Sequence, residues 1–306
     1  MTGDVVDLKS LRDCVRWGAS RFNAAGLYFG HGTDNALDEA LLLVLHAVHL
    51  DHDLPERYLD SRITAVERAA IVDLLRRRTE ERIPAAYLTH RARFAGGWYY
   101  VDEHVLVPRS PIAELIERRF EPWMDPDAIG RVLDLCTGSG CIAVACAHAF
   151  PDARVDATEL SEAAAAVARR NVREHGVQNR VEVLAGDLYD PVGGARYDLI
   201  LSNPPYVSAA EMAELPAEYR REPALGLAAG TDGLDVVRRI LAGARRHLNP
   251  GGILVVEVGD SADRLAAAYP GVPFVWLELE RGDGGVFLLD AAQLEDLAPV
   301  VEGDEP

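Results

Sequence analysis

Asn203-Pro204-Pro205-Tyr206 follows the apolar run YDLILS without a break. Proline has no backbone N–H to donate and stops a ladder, so one reading is a strand stop followed by a turn. The other reading is chemical. The Asn203 side-chain oxygen and the Pro204 carbonyl are two acceptors on a backbone that Pro204 and Pro205 stiffen. The Tyr206 ring offers a flat apolar face. Such a set suits a planar NH2 group, with both acceptors taking its hydrogens and the ring packing on its plane. A second set stands upstream in DLCTGSG, where Gly138 and Gly140 mark the turn from a strand into a helix. Glycine there lets a backbone approach a ligand closely, although a lone GxG serves a tight turn equally well.

Three acids accompany that loop: Asp134 before it, Glu159 at the end of the next strand, and Asp187 in AGD at the end of the third. All fall at carboxyl ends of strands, where open α/β sheets bind ligands, and Glu159 lies ~20 residues downstream, where an acid grips ribose hydroxyls. Cys136, Thr137 and Ser139 complete the loop. The third position of GxGxxG is Ala143. A phosphate would call for a basic residue or a clean helix N-terminus, whereas this rim is acidic. It suits ribose, adenine and a positive charge, the features of S-adenosylmethionine, a sulfonium without phosphates.

Other chemistry is poorly supported. No Ser-His-Asp or Cys-His set is evident. His31 and His104 have no partner at metal-ligand spacing, so no metal site is expected. Cys14, Cys136, Cys141 and Cys146 form no CxxC pair; they read as small packed residues in a reducing cytoplasm. Arg109, in VPRSP, is open between orienting the substrate or cofactor loop and bridging a rim carboxylate. Arg76-Arg77-Arg78 reads as a solvated helix face, with contact to RNA as the alternative.

The elements that position these residues change character along the chain. Residues 5 to 82 carry helical periodicity, with Thr33 or Asp34 as an N-cap and Thr64 with Glu67 as a capping box. The stretch AAYLTHRARFAGGWYYVDEHVLVPR alternates and predicts a β-hairpin turning at Gly96-Gly97. From residue 108 strands and helices alternate, which predicts an α/β fold: a doubly wound, mostly parallel sheet of seven strands. FVWLELE and GVFLLD, joined by RGDGG, close it as an antiparallel pair. The expected organisation is a helical substrate-recognition domain over 1–85, a hairpin linker over 86–107, a catalytic domain over 108–295, and an acidic mobile tail over 296–306.

Composition bounds the function. With 49% hydrophobic residues the chain affords a sizeable core. A net charge of -18 argues against unaided binding to a phosphate backbone and suits a basic macromolecular partner. The N-terminus lacks the basic and apolar run of a signal peptide, and no stretch approaches the ~20 apolar residues of a membrane span.

Taken in order, DLCTGSG, TEL, AGD and NPPY resemble the class I S-adenosylmethionine-dependent methyltransferases, and NPPY resembles the subset acting on planar nitrogens. FAGGWYYVDEHVLVPRSPIAELIE and EPALGLAAGTDGLDVVRRI are similar to the protein glutamine methyltransferases, which modify release factors and a ribosomal protein. WGASRFNAAGLYFGHGTDNALDEALLLVLHAVHL resembles the branch acting on the ribosomal protein L-three. The chain departs from the family pattern at Cys136, where glycine is common, and at Glu159, where aspartate is frequent. The resemblance implies methyl transfer from S-adenosylmethionine to a glutamine side-chain amide nitrogen. The cofactor residues would be Asp134, Cys136, Thr137, Gly138, Ser139, Gly140, Glu159, Asp187 and Asn203; the catalytic ones, Asn203, Pro204, Pro205 and Tyr206. The expected partner is a basic ribosomal protein, free or in a ribosome assembly intermediate, with no membrane and no sequence-specific nucleic acid. Methylation of release factors, methylation of nucleic-acid amino groups and an inactive binding module are the alternatives.

Overall fold

The computed structural model describes residues 5–51, 54–280 and 284–296, without the side chains of the last two; the expected tail lies outside them from residue 297 onward. The chain divides into two compact units. One is Met1–Ala92 with Pro216–Glu222, and the other is Arg93–Leu215 with Pro223–Pro306. The short segment 216–222 thus belongs with the helices, although the residues on either side of it belong to the second unit.

The first unit is built on α1 (Leu11–Ala24), α2 (Ala36–Ala47), α3 (Ala65–Glu81) and the short α4 (Ala85–Thr89). The capping box at Thr64 and Glu67 forms, and Ser10 with Asp13 makes another. The start of α2 differs from expectation. Asn35, not Thr33 or Asp34, caps it by accepting from the N–H groups of Leu37 and Asp38. Thr33 instead donates to Glu39. Buried Phe22, Leu43, Leu45, Ile71 and Leu75 form the core.

Arg78 corrects the expectation of a solvated arginine face, because it is wholly buried. The reason is helical phase: Ile71, Leu75 and Arg78 share one face of α3, and that face turns inward. The guanidinium donates to Glu39 at 2.6 Å, to Glu218 at 3.3 Å and to the Tyr28 carbonyl at 2.9 Å. Glu218 also accepts from Arg82 and from the Tyr28 N–H. Two cations and two carboxylates therefore hold segment 216–222, while Tyr219 packs against Tyr28 and His31.

The second unit begins at Arg93, within the hairpin β1 (Ala92–Phe94) and β2 (Gly97–Tyr99). Its turn is Ala95-Gly96, one residue before the expected pair; both have positive φ, at 43° and 75°, as a two-residue hairpin turn of this hand requires. Helix α5 (Ile112–Glu117) follows. The sheet then runs through β3 (Arg131–Leu135), α6 (Cys141–Ala149), β4 (Arg154–Glu159), α7 (Glu162–Glu174), β5 (Val181–Ala185), β6 (Tyr197–Ser202), α8 (Ala209–Glu214), α9 (Asp235–His247), β7 (Leu248–Glu257), α10 (Ala262–Ala268), β8 (Val275–Trp276), β9 (Val286–Asp290) and α11 (Ala291–Asp296). The seven strands lie in the order β5-β4-β3-β6-β7-β9-β8. The first five are parallel, and β9 is antiparallel to both neighbours. This is the expected doubly wound sheet. FVWLELE yields only the two residues of β8, and part of the RGDGG connection lies outside the described residues.

Strand register decides which side chains meet. Leu135 pairs with Thr158 and with Ser202, and Ser202 pairs with Val256. The carboxyl ends of β3, β4, β6 and β7 are therefore level, which brings Cys136, Glu159, Asn203 and Glu257 to one edge. Apolar clusters cover both faces of the sheet. Among the described residues no helix is long and apolar enough to cross a membrane.

Removing one partner of a buried ion cluster leaves the others charged and uncompensated, at a cost of about 3–5 kcal/mol. Arg78→Met should lower the denaturant midpoint of the helical unit accordingly. Arg76→Met, which loses only exposed pairs to Asp73 and Glu80, should leave it in place. Circular dichroism during urea titration makes the comparison, and equal midpoints for the two variants would show the cluster to be dispensable.

Candidate active site at the carboxyl edge of the sheet

The turn between β3 and α6 is shaped by Asp134, which is fully buried beneath it. One carboxylate oxygen accepts from the Thr137 hydroxyl and, at 3.1 Å, from the Ala143 N–H. The other has no partner among the described residues. Burial pushes the Asp134 carboxyl up to about 7, against the pull of those hydrogen bonds. Cys136, Gly138 and Gly140 all adopt left-handed φ, at 58°, 55° and 78°. At Gly140 the hand is not the only constraint. A β-carbon there would stand 3.1 Å from the Ala168 β-carbon and 3.2 Å from its α-carbon, so glycine lets α6 and α7 approach. Asn171 of α7 then fastens the loop, donating to the carbonyls of Ser139 and Tyr100 and accepting from the Tyr100 N–H.

Glu159 closes the other side. Its oxygens accept from the N–H groups of Gly138 and Ser161, each at 2.9 Å. Burial raises its pKa, and those backbone donors counter the shift. The Leu160 backbone also bonds this carboxylate, and Glu159 lines a cavity of about 180 Å³. Cys136, Gly138, Asp187, Asn203 and Pro205 line the same cavity, with Val105, Leu106, Leu160 and Leu225 as apolar walls. Thr158 also lines it, and its buried hydroxyl has no partner among the described residues. Asp187 is ion-paired to Arg239 at 2.7 Å. This pair separates the cavity from a more open cleft of about 820 Å³, whose lining does not include Asn203.

At the end of β6, neither the Asn203 side chain nor the Pro204 carbonyl has a hydrogen-bond partner among the described residues. Pro204 is buried, while Asn203 and Pro205 are half-buried. Tyr206 is held from inside the protein and does not line the cavity. Its hydroxyl donates to Glu257 at 3.0 Å, its carbonyl accepts from Ser261 at 2.7 Å, and a β-carbon at Gly259 would come within 2.7 Å of its ring. Val207 exchanges backbone hydrogen bonds with Leu227 and Ala229, fixing the path beyond the prolines.

The sequence has known relatives. A profile of the methyltransferase small domain matches residues 120–218. The ribosomal protein uL3 glutamine methyltransferase of Burkholderia pseudomallei is 49% identical, over 97% of this chain and all of that protein. Those of Bordetella pertussis and Neisseria gonorrhoeae are each 49% identical over 94% of this chain, covering 97% and 96% of theirs. The chain belongs to the uL3 glutamine methyltransferase family. This membership covers both units, not only the α/β sheet.

For a member of this family, the structure brings Cys136, Gly138, Glu159, Asp187, Asn203 and Pro205 together around one cavity. Asp134, Thr137, Ser139 and Gly140 lie behind it as the frame of the loop. Arg109 donates to the Val107 carbonyl, and its charge acts on both Glu257 and Tyr206. His104 is not isolated: its Nδ1 lies 3.0 Å from Asp102, and with Glu103 the three offer ligand atoms within 4.8 Å. Sequence reasoning missed Glu257, Arg239 and Asn171. Glu257 carried the same signal as Glu159, an acid ending an apolar strand, and passed unnoticed inside ILVVEVGD. Asn171 carried only its helical phase, which sets it on the buried face of α7 with Ala164 and Ala168.

The Asp134 shift has a checkable sign. The unfolded chain loses this proton near the ordinary carboxyl value, whereas the folded protein keeps it up to about pH 7. Stability due to Asp134 is therefore whole in acid and is lost as pH rises toward 7. Asp134→Asn should flatten the decline in urea midpoint between about pH 4 and 7. Parallel curves for the two proteins would contradict that role.

Proposed function

We propose that this protein transfers a methyl group from S-adenosylmethionine to the side-chain amide nitrogen of a glutamine in ribosomal protein uL3, in the cytoplasm. The uncommitted acceptors of Asn203 and Pro204, at the edge of the cavity that Gly138 and Glu159 line, carry the reading. S-adenosylmethionine supplies an electrophilic methyl on a sulfonium and, unlike a phosphate-bearing nucleotide, suits this acidic lining. Glu159 has acceptor capacity left for ribose hydroxyls, Thr158 an unpartnered buried hydroxyl, and Leu160 and Leu225 apolar surface for a flat base.

A carboxamide nitrogen is a weak nucleophile because its lone pair is delocalised. The protein's contribution is to hold it. Asn203 and the Pro204 carbonyl accept the two amide hydrogens, orienting the nitrogen and stabilising positive charge that develops on it. The proline pair spares the backbone from ordering at the moment of reaction. Alignment of this kind is worth ~7–11 kcal/mol in favourable intramolecular models. No covalent intermediate is needed, and the proton leaves after transfer.

A net charge of -18 complements a basic ribosomal protein, free or in an assembling subunit. The helical unit, whose sequence carries the likeness to the uL3 branch, is the natural reader of that substrate. The relatives' names favour uL3 over release factors. Mass spectrometry of both proteins from cells lacking this chain distinguishes the two.

Asn203→Ala should slow single-turnover methylation of uL3 by ~100- to 1000-fold, the scale of losing one preorganised partner of about 2.7–4 kcal/mol, while cofactor affinity changes little. Glu159→Ala should do the reverse, weakening S-adenosylmethionine binding in calorimetry by about 1–3 kcal/mol. An Asn203 variant within a few fold of the parent rate would place the amide elsewhere. Loss of cofactor binding in that variant would assign Asn203 to the donor side.

A further inference from the structure

Glu257 ends β7 with its carboxylate buried, and no step of the methyl transfer uses it. Both oxygens are engaged. Oε1 accepts from the Tyr206 hydroxyl at 3.0 Å, and Oε2 from the Ser110 hydroxyl at 2.5 Å. Ser110 Oγ also accepts from the Ile112 N–H, which leaves its own proton to give to Glu257. Two hydroxyl donors on two oxygens call for a carboxylate rather than a neutral acid. Burial raises the Glu257 carboxyl above its ordinary value, and the two hydroxyl donors and the charge of Arg109 act against that rise.

The two donors lie outside the cavity, each in a segment that supplies other residues to its lining. Tyr206 closes the Asn203-Pro204-Pro205-Tyr206 motif. Ser110 stands four and five residues after Leu106 and Val105, which line the same cavity as Asn203 and Pro205. Glu257 itself lies level with Asn203, since Val256 pairs with Ser202. Gly259 leaves room for the Tyr206 ring, and Ser261 holds the Tyr206 carbonyl. Tyr206 is thus fixed at its hydroxyl, its ring and its backbone, all from the interior.

We propose that Glu257 is a positioning residue for methyl transfer: by tying Tyr206 to Ser110 it sets the Asn203-Pro204 acceptors against the wall formed by Val105 and Leu106. The proposal rests on the reading of Asn203 as the group that holds the target nitrogen. It makes Tyr206 a strut for the acceptors rather than a surface for the substrate, and it gives the serine of VPRSP the other end of the same strut.

The test is single-turnover methylation of uL3 by the full chain at saturating S-adenosylmethionine, with Glu257→Gln, Tyr206→Phe, the double variant, Ser110→Ala and Asn203→Ala. Glu257→Gln and Tyr206→Phe should each lower the saturated rate by about tenfold, the scale of one hydrogen bond lost. The double variant should be no slower than the worse single one, because both changes remove the same strut. The cofactor Kd and the half-saturating uL3 concentration should stay within about twofold, a split that general loosening would not produce. Multiplying losses in the double variant would overturn the proposal. So would a loss confined to uL3 affinity, or a parental rate for Glu257→Gln when Asn203→Ala is slow. If Glu257→Gln does not fold, the two single-hydroxyl deletions decide: parental rates in both overturn it, and slowed rates in both uphold it. A parental rate for Asn203→Ala overturns the underlying reading of the site, and the strut with it.

Discussion

Beneath the turn from β3 to α6, the Asp134 carboxylate takes a hydroxyl from Thr137 and an N–H from Ala143 on the same oxygen. That convergence draws the chain into a loop tight enough to need three left-handed residues, one of them a cysteine. A non-glycine residue in that region stores strain and persists only where its surroundings over-determine it. Here they do: Asp134 below, Asn171 behind and Glu159 in front each hold the loop by hydrogen bonds. The loop forms one wall of the cavity, and the level ends of β4 and β6 form the next two. Without the turn, the parallel sheet would still bury its core, but its edge would present no concavity.

The acids of this edge have separate physical fates. Asp134 is a structural anchor with no exposed oxygen. Glu159 divides its capacity between the loop and the cavity. Asp187 is neutralised by Arg239, and Glu257 faces inward to two hydroxyls. A chain of net charge -18 therefore presents much less free negative charge in this cavity than a count of carboxylates implies.

The sheet and the order of its motifs were legible because strands such as β3 and β6 are compact apolar runs that lead into polar residues, and helices such as α7 and α9 are amphipathic. The cavity was legible in outline for the same reason: strand ends are where such residues converge. The division of labour among the acids was not, since a carboxylate below a loop and one beside it look alike in sequence. Tyr206 illustrates the limit, for its partner Glu257 lies 51 residues away and only the pairing of β6 with β7 brings them level. Arg78 is a different lesson. Its burial was readable from its spacing to Ile71 and Leu75, and a run of three arginines drew attention to charge instead of phase.

The insertion of residues 216–222 into the helical unit bears on how the molecule is made. Glu218 completes the ion cluster of Arg78 and Arg82, yet it follows Arg78 by 140 residues. During synthesis Arg78 and its partner Glu39 emerge long before Glu218, and strands β3 to β6 are translated in between. The first-made part of the protein therefore waits for a later part to complete its buried ion cluster. That completion follows β6, just beyond which Asn203 stands, with only α8 and its flanking turns made in between.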